Sequence, residues 1–118
     1  MMRGTIYYED SPASSIEGVI SSNRPVVILS PKPLGNSIQV VPLTAQLDRV
    51  NDKFEHHITF ENRGRTSTAL CEQIRTVNVE HLGRFPIGFC PEDAMKKIDA
   101  AVAKILGLSE NLGGTNDV

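Results

Sequence analysis

Asn23-Arg24-Pro25-Val26-Val27-Ile28-Leu29-Ser30, followed after a turn-rich stretch by Val40-Val41-Pro42-Leu43-Thr44, is the part of this chain whose reading decides the fold. Arg24 to Ser30 is nearly all apolar and β-branched, which predicts a strand buried on both faces. Pro31-Lys32-Pro33-Leu34-Gly35-Asn36 predicts a turn, and Ser37 to Leu43 a second strand. An arginine therefore stands at the start of one strand and a threonine at the end of the next. A guanidinium is a planar fork of donors that stays charged at any working pH, and a threonine hydroxyl both donates and accepts, so the pair suits the grip of a phosphodiester. Pro25 has no amide donor, which suits an edge or the first position of its strand, and it holds Arg24 extended. A purely structural Arg-Pro strand start has the same sequence.

Outward from this pair the chain remains mostly β. Thr5 to Glu9 predicts a first strand, and Asp10 to Asn23, rich in serine with Pro12 and Gly18, a long loop. Ala45 to Glu55 predicts a second loop and His56 to Phe60 an alternating strand. Gly64 marks a hairpin-like turn, and Thr66 to Val77 is one bent strand or two. The period then changes from two to about 3.6. Pro91 suits the first helical position, Glu92 and Asp93 complement the helix dipole, and Gly107 can close the far end. Met95, Ile98, Val102, Ile105 and Leu106 share one face, opposite Lys96, Lys97 and Lys104, so the helix is expected to cover a core rather than a membrane. The residues after it are expected to fray.

Composition sets the bounds. With 118 residues, 40% apolar and 22% charged, the chain predicts one small α+β domain, mainly β, over residues 1–108 with a flexible tail at 109–118. No apolar run approaches the ~20 residues that span a bilayer, and no signal-peptide pattern opens the chain, so a cytoplasmic protein is expected. Cys71 and Cys90 have no metal-ligand spacing and read as reduced thiols near the core. A strand cysteine of that kind holds little thiolate, which argues against Cys71 as a nucleophile. The formal charge of −2 gives no overall basic excess, yet Arg63, Arg65, Arg75 and Arg84 fall in one stretch. Either they form a local anion-binding surface or they are scattered and solvated.

Four blocks, in order, carry a resemblance to a known family. They are Arg3-Gly4-Thr5-Ile6-Tyr7-Tyr8, Arg24 to Ser30, Val41-Pro42-Leu43-Thr44 and Cys71-Glu72-Gln73-Ile74-Arg75-Thr76-Val77-Asn78. Together they resemble the MazF/PemK toxins, endoribonucleases of type II toxin-antitoxin systems, from Arg3 to about Leu108. The resemblance implies an SH3-like β-barrel with a C-terminal helix, a homodimer, and a groove for single-stranded RNA that an acidic cognate antitoxin blocks. It implies sequence-specific mRNA cleavage without a metal or other cofactor, through attack of a ribose 2′-hydroxyl on the adjacent phosphorus. Arg24 and Thr44 match the family's catalytic positions, and Gln73 matches a residue of the segment lining its cleft.

The expected RNA-contacting set is Gln73, Arg75, Glu17, Ser30, Lys53 and His57. For Arg75 an interface ion pair is an equal alternative, and Glu17 stands in for a family glutamate whose own place, five residues before Arg24, is taken by Val19. His56, His57 and His81 titrate near neutrality and suit acid-base chemistry, but adjacent strand residues face opposite ways, so at most one of His56 and His57 reaches a given groove. Surface or packing roles are the simpler reading of all three. The alternatives to a nuclease are a catalytically silent RNA- or protein-binding barrel, or a gyrase-poisoning toxin of the same fold. The second is disfavoured by a tail without tryptophan.

Overall fold

Val26, Val27 and Ile28 are all fully buried, although successive strand residues point to opposite faces. They lie in β2 (Arg24–Ile28) of a computed structural model that describes residues 2–10, 23–45 and 56–108. The other strands are β1 (Thr5–Glu9), β3 (Ser37–Thr44), β4 (His57–Asn62), β5 (Arg65–Leu70), β6 (Arg75–Asn78) and β7 (Gly88–Phe89), and the helix is α1 (Glu92–Ile105). Short 3-10 turns occupy Cys71–Gln73 and Val79–His81. The strands run β4-β5-β3-β2-β1-β7, all pairs antiparallel, with β6 also on β3. The sheet curls into a nearly closed barrel, so the expected mainly β barrel with a C-terminal helix is what forms. Glu17 and Lys53, most of the two long loops and the 109–118 tail lie outside the described residues.

A core lies on each face of the sheet. Val27 and Leu29 join Ile6, Val41, Leu43, Phe60, Ala69 and Cys71 beneath Ala94, Met95, Ile98 and Ala101 of α1. On the other face Val26 and Ile28 pack with Ile38, Val40, Val77 and Leu82. β2 stops at Ile28, short of the expected Ser30, because the Ser30 hydroxyl replaces a backbone acceptor: it takes the Gln39 N–H at 2.9 Å.

β3 changes partner along its length. Ser37 to Val40 pair with β6, and Leu43 and Thr44 with β5. The Cys71–Gln73 turn separates β5 from β6, which answers the expectation of one bent strand or two: there are two. The Leu29 N–H to Gln39 O bond fixes which β2–β3 pairs are hydrogen-bonded, since bonded and non-bonded pairs alternate. By that alternation Pro42, opposite Val26, has its nitrogen on the β5–β6 side, where the ladder is interrupted. A proline fits there without losing a ladder bond.

Pro91 is the N-cap of α1 rather than its first helical residue, with its carbonyl accepting from Met95 N–H at 2.9 Å. At the far end Gly107 adopts φ 73°, and the Gly107 and Leu108 N–H groups bond back to Lys104 and Ala103, a Schellman closure. Leu106, expected on the buried face, is instead exposed at the C-cap, where the helix has ended. β7 has no clear sequence signal and was not expected.

Glu9 is 3% exposed and binds Arg75 at 2.6 Å, joining two residues far apart in the chain. Taking one member from such a pair leaves a charge in a poorly solvated place. Arg75→Met is expected to lower unfolding free energy by about 3 kcal/mol, and the double variant Glu9→Leu/Arg75→Met to recover most of it, in urea titrations. Burial also pushes the Cys71 and Cys90 thiols up, each from 9.0 to about 12. The folded chain then keeps protons that the unfolded chain releases, so stability is intact below about pH 9 and falls as pH rises toward 12. Cys71→Ala is expected to flatten that alkaline slope relative to wild type.

Candidate functional site

The end of β2 shows how the sequence aims a guanidinium. Continuing the alternation fixed by Leu29 and Gln39, Pro25 faces Leu43 at a hydrogen-bonded position, where a proline has no N–H to give. The Leu43 carbonyl accepts instead from Arg24 Nη1, at 3.4 Å. Pro25 is therefore neither at an edge nor first in its strand, contrary to expectation: the side chain before it compensates for the missing donor. One residue earlier the chain enters β2 through Asn23, at φ 69°, a conformation that asparagine tolerates better than most residues. The Tyr8 hydroxyl holds that turn by donating to the Asn23 carbonyl at 2.9 Å.

Two residues outward along both strands from the Val26–Pro42 pair, Arg24 comes level with Thr44. Thr44 is 4% exposed and pairs across the ladder with Thr68, whose hydroxyl lies 2.9 Å from that of Thr59. Arg24 and Thr44 both line a cleft of about 570 Å³. Its other described walls are Ile6, Asn23, Pro25, Leu43, Ala45, Ile87 and the β4–β5 hairpin, from which come Asn62, Arg63, Arg65, Thr66 and Ser67. Three arginines thus face this space and no described lining residue is acidic, so the cleft favours an anion although the chain as a whole is weakly acidic.

None of Gln73, Arg75, Ser30 or His57 is among the described residues that line this cleft. Arg75 binds the buried Glu9 of its own chain, an ion pair within the barrel rather than the one expected at an interface. Ser30 bonds Gln39 near the α1 side of the sheet, where a smaller, largely apolar pocket lies between Arg3, Ile74 and Val102. His57 Nε2 lies 3.2 Å from Glu72, with a side chain 7% exposed. Gln73 sits in the turn that divides β5 from β6. Asn62, Arg63 and Arg65 were not expected as site residues: their signal was the local run of arginines around Gly64, which reads first as hairpin punctuation. Among the described residues no group of three histidine, cysteine or acidic side chains is placed to hold a metal ion, and no helix is long and apolar enough to cross a membrane.

Comparison with known proteins agrees with this architecture. The family model for PemK-like, MazF-like toxins of type II toxin-antitoxin systems matches residues 2–106. A candidate toxin of Mycobacterium tuberculosis is 28% identical over 109 residues, covering 92% of this chain and 99% of that one. MazF from Deinococcus radiodurans superposes with a TM-score of 0.76 at 15% identity, over 92% of this chain and 97% of that one. A mycobacterial endoribonuclease solved with its cognate antitoxin superposes at 0.69 and 22% identity, over 92% and 97% of the two chains. With its described barrel and with a family match over nearly its whole length, this chain belongs to the PemK-like, MazF-like toxins of type II toxin-antitoxin systems.

Proposed function

We propose that the chain is a sequence-specific endoribonuclease that cuts single-stranded mRNA without a metal, with Arg24 and Thr44 at the cut phosphate. The observation that carries this reading is that Arg24 and Thr44 line one cleft, with three arginines and no described acid. In the reaction the ribose O2′ attacks phosphorus and loses its proton, the P–O5′ bond breaks, and O5′ leaves as a protonated hydroxyl. One product ends in a cyclic phosphate and the other begins with a 5′-hydroxyl. Negative charge grows on the phosphoryl oxygens as O2′ approaches, and the Arg24 guanidinium stabilises it with charge-assisted hydrogen bonds. Thr44, held beside Thr68, orients the phosphate. Arg63 and Arg65 draw in the neighbouring phosphates, while Arg75 acts behind the site through Glu9 rather than on RNA.

Three further parts belong to the same reading. An acidic antitoxin segment competes for the arginine-lined cleft, as charge complementarity favours. Two copies associate through the exposed strip of Phe85, Ile87 and Phe89, an apolar surface of the kind that marks a protein interface. An mRNA substrate and an antitoxin partner support a cytoplasmic site of action.

The test is incubation of purified protein with a long RNA in EDTA, with cleavage scored by the 5′-hydroxyl ends produced. Wild type is expected to cut. Arg24→Ala should lower the rate about 10²- to 10³-fold, as loss of an oxyanion donor does, and Thr44→Ala at least about tenfold. RNA left intact by wild type favours a silent binding barrel, and variants as active as wild type remove the site assignment.

A further inference from the structure

β4 and β7 are the two ends of the sheet, so whatever joins them closes the barrel. No ladder pairs them among the described residues. The join is a side chain: Oδ1 of Asn62, the last residue of β4, accepts the Phe89 N–H of β7 at 3.4 Å. Against it stands Gly88, where a side-chain methyl would overlap the Asn62 carboxamide. Gly88 is not among the glycines with positive φ, so its backbone does not call for glycine, and the space it leaves is what admits Asn62.

Asn62 also opens the tight turn Asn62-Arg63-Gly64-Arg65, with φ 53° at Arg63 and 78° at Gly64. That turn carries two of the cleft's three arginines, and Ile87, the neighbour of Gly88, lines the cleft from the other end of the sheet. The cleft therefore opens beside the seam between β4 and β7, whose two ends meet at Asn62 and Gly88. We infer that this contact is a latch holding the arginine-bearing hairpin against β7, so that Asn62 is a positioning residue that sets the width of the cleft for its polyanionic substrate. The nature of the substrate rests on the preceding reading, whereas the latch itself does not.

A short side chain yields more readily than a strand backbone, so Gly88→Ala displaces the Asn62 carboxamide and acts on the hairpin as Asn62→Ala does. The experiment measures hydrogen exchange in residues 60–67 and the cleavage kinetics of a single-stranded RNA of mixed sequence, in EDTA. Asn62→Ala, Gly88→Ala and the double variant should speed hairpin exchange by a similar factor. Each should raise KM roughly tenfold while changing kcat by less than about twofold, since hold on the strand is lost and the reacting pair is kept. Asn62→Asp retains an acceptor for Phe89 N–H and should keep hairpin exchange near wild type. Hairpin exchange unchanged in Asn62→Ala overturns the latch, as does a double variant whose effect is the product of the single ones. Faster exchange with an unaltered KM removes its role in positioning substrate. If wild type leaves RNA intact while the exchange pattern holds, the nuclease reading falls and the latch stands.

Discussion

The Leu43 carbonyl, left without a ladder donor by Pro25, organises one wall of the arginine-lined cleft. A backbone acceptor in a sheet seeks a partner, and here the partner is the guanidinium of Arg24. That single substitution of side chain for backbone brings a permanent positive charge to the side of β3, level with Thr44. The pre-proline constraint and the left-handed Asn23 hold the backbone on either side of it. A residue that weakens the strand as a ladder thus sets a guanidinium at the wall of the cleft.

The rest of the fold supports that corner. β2 is covered on both faces, by α1 and its core on one and by the Ile38, Val40 and Val77 group on the other, so its end has little room to shift. β3 serves two partner strands in succession, and the proline at its changeover has no donor to waste where the ladder is broken. Arg75 and Glu9 neutralise each other nearby, with Glu9 on the strand residue paired to Arg24. The positive character of the cleft therefore depends on Arg24, Arg63 and Arg65, three charges that the sequence separates but the sheet gathers.

What was legible in the sequence followed from strong local patterns. The apolar run of β2 announced a strand covered on both sides, and the period of Met95, Ile98 and Val102 announced a helix with one buried face. That Arg24 and Thr44 line one cleft follows from the short antiparallel connection between β2 and β3. Long-range facts were not legible. Nothing local ties Arg75 to Glu9, so an RNA contact and an interface ion pair were the readings at hand, and the pair within the chain was not. Nor does a two-residue strand such as Gly88–Phe89, beside Pro86, give an alternation to detect, and without β7 the seam and the role of Asn62 are invisible. Leu106 differs because periodicity does not report where the helix stops.

On the proposed function, the missing donor of Pro25 aims Arg24 at the phosphate. The most direct measurement of this is the RNA cleavage rate of Pro25→Val in EDTA, with circular dichroism as the check on folding. Valine returns an N–H to the Leu43 carbonyl and keeps the strand, so the account predicts a fall in kcat of about tenfold or more with the fold intact. A variant that folds and cleaves RNA as fast as wild type would contradict it.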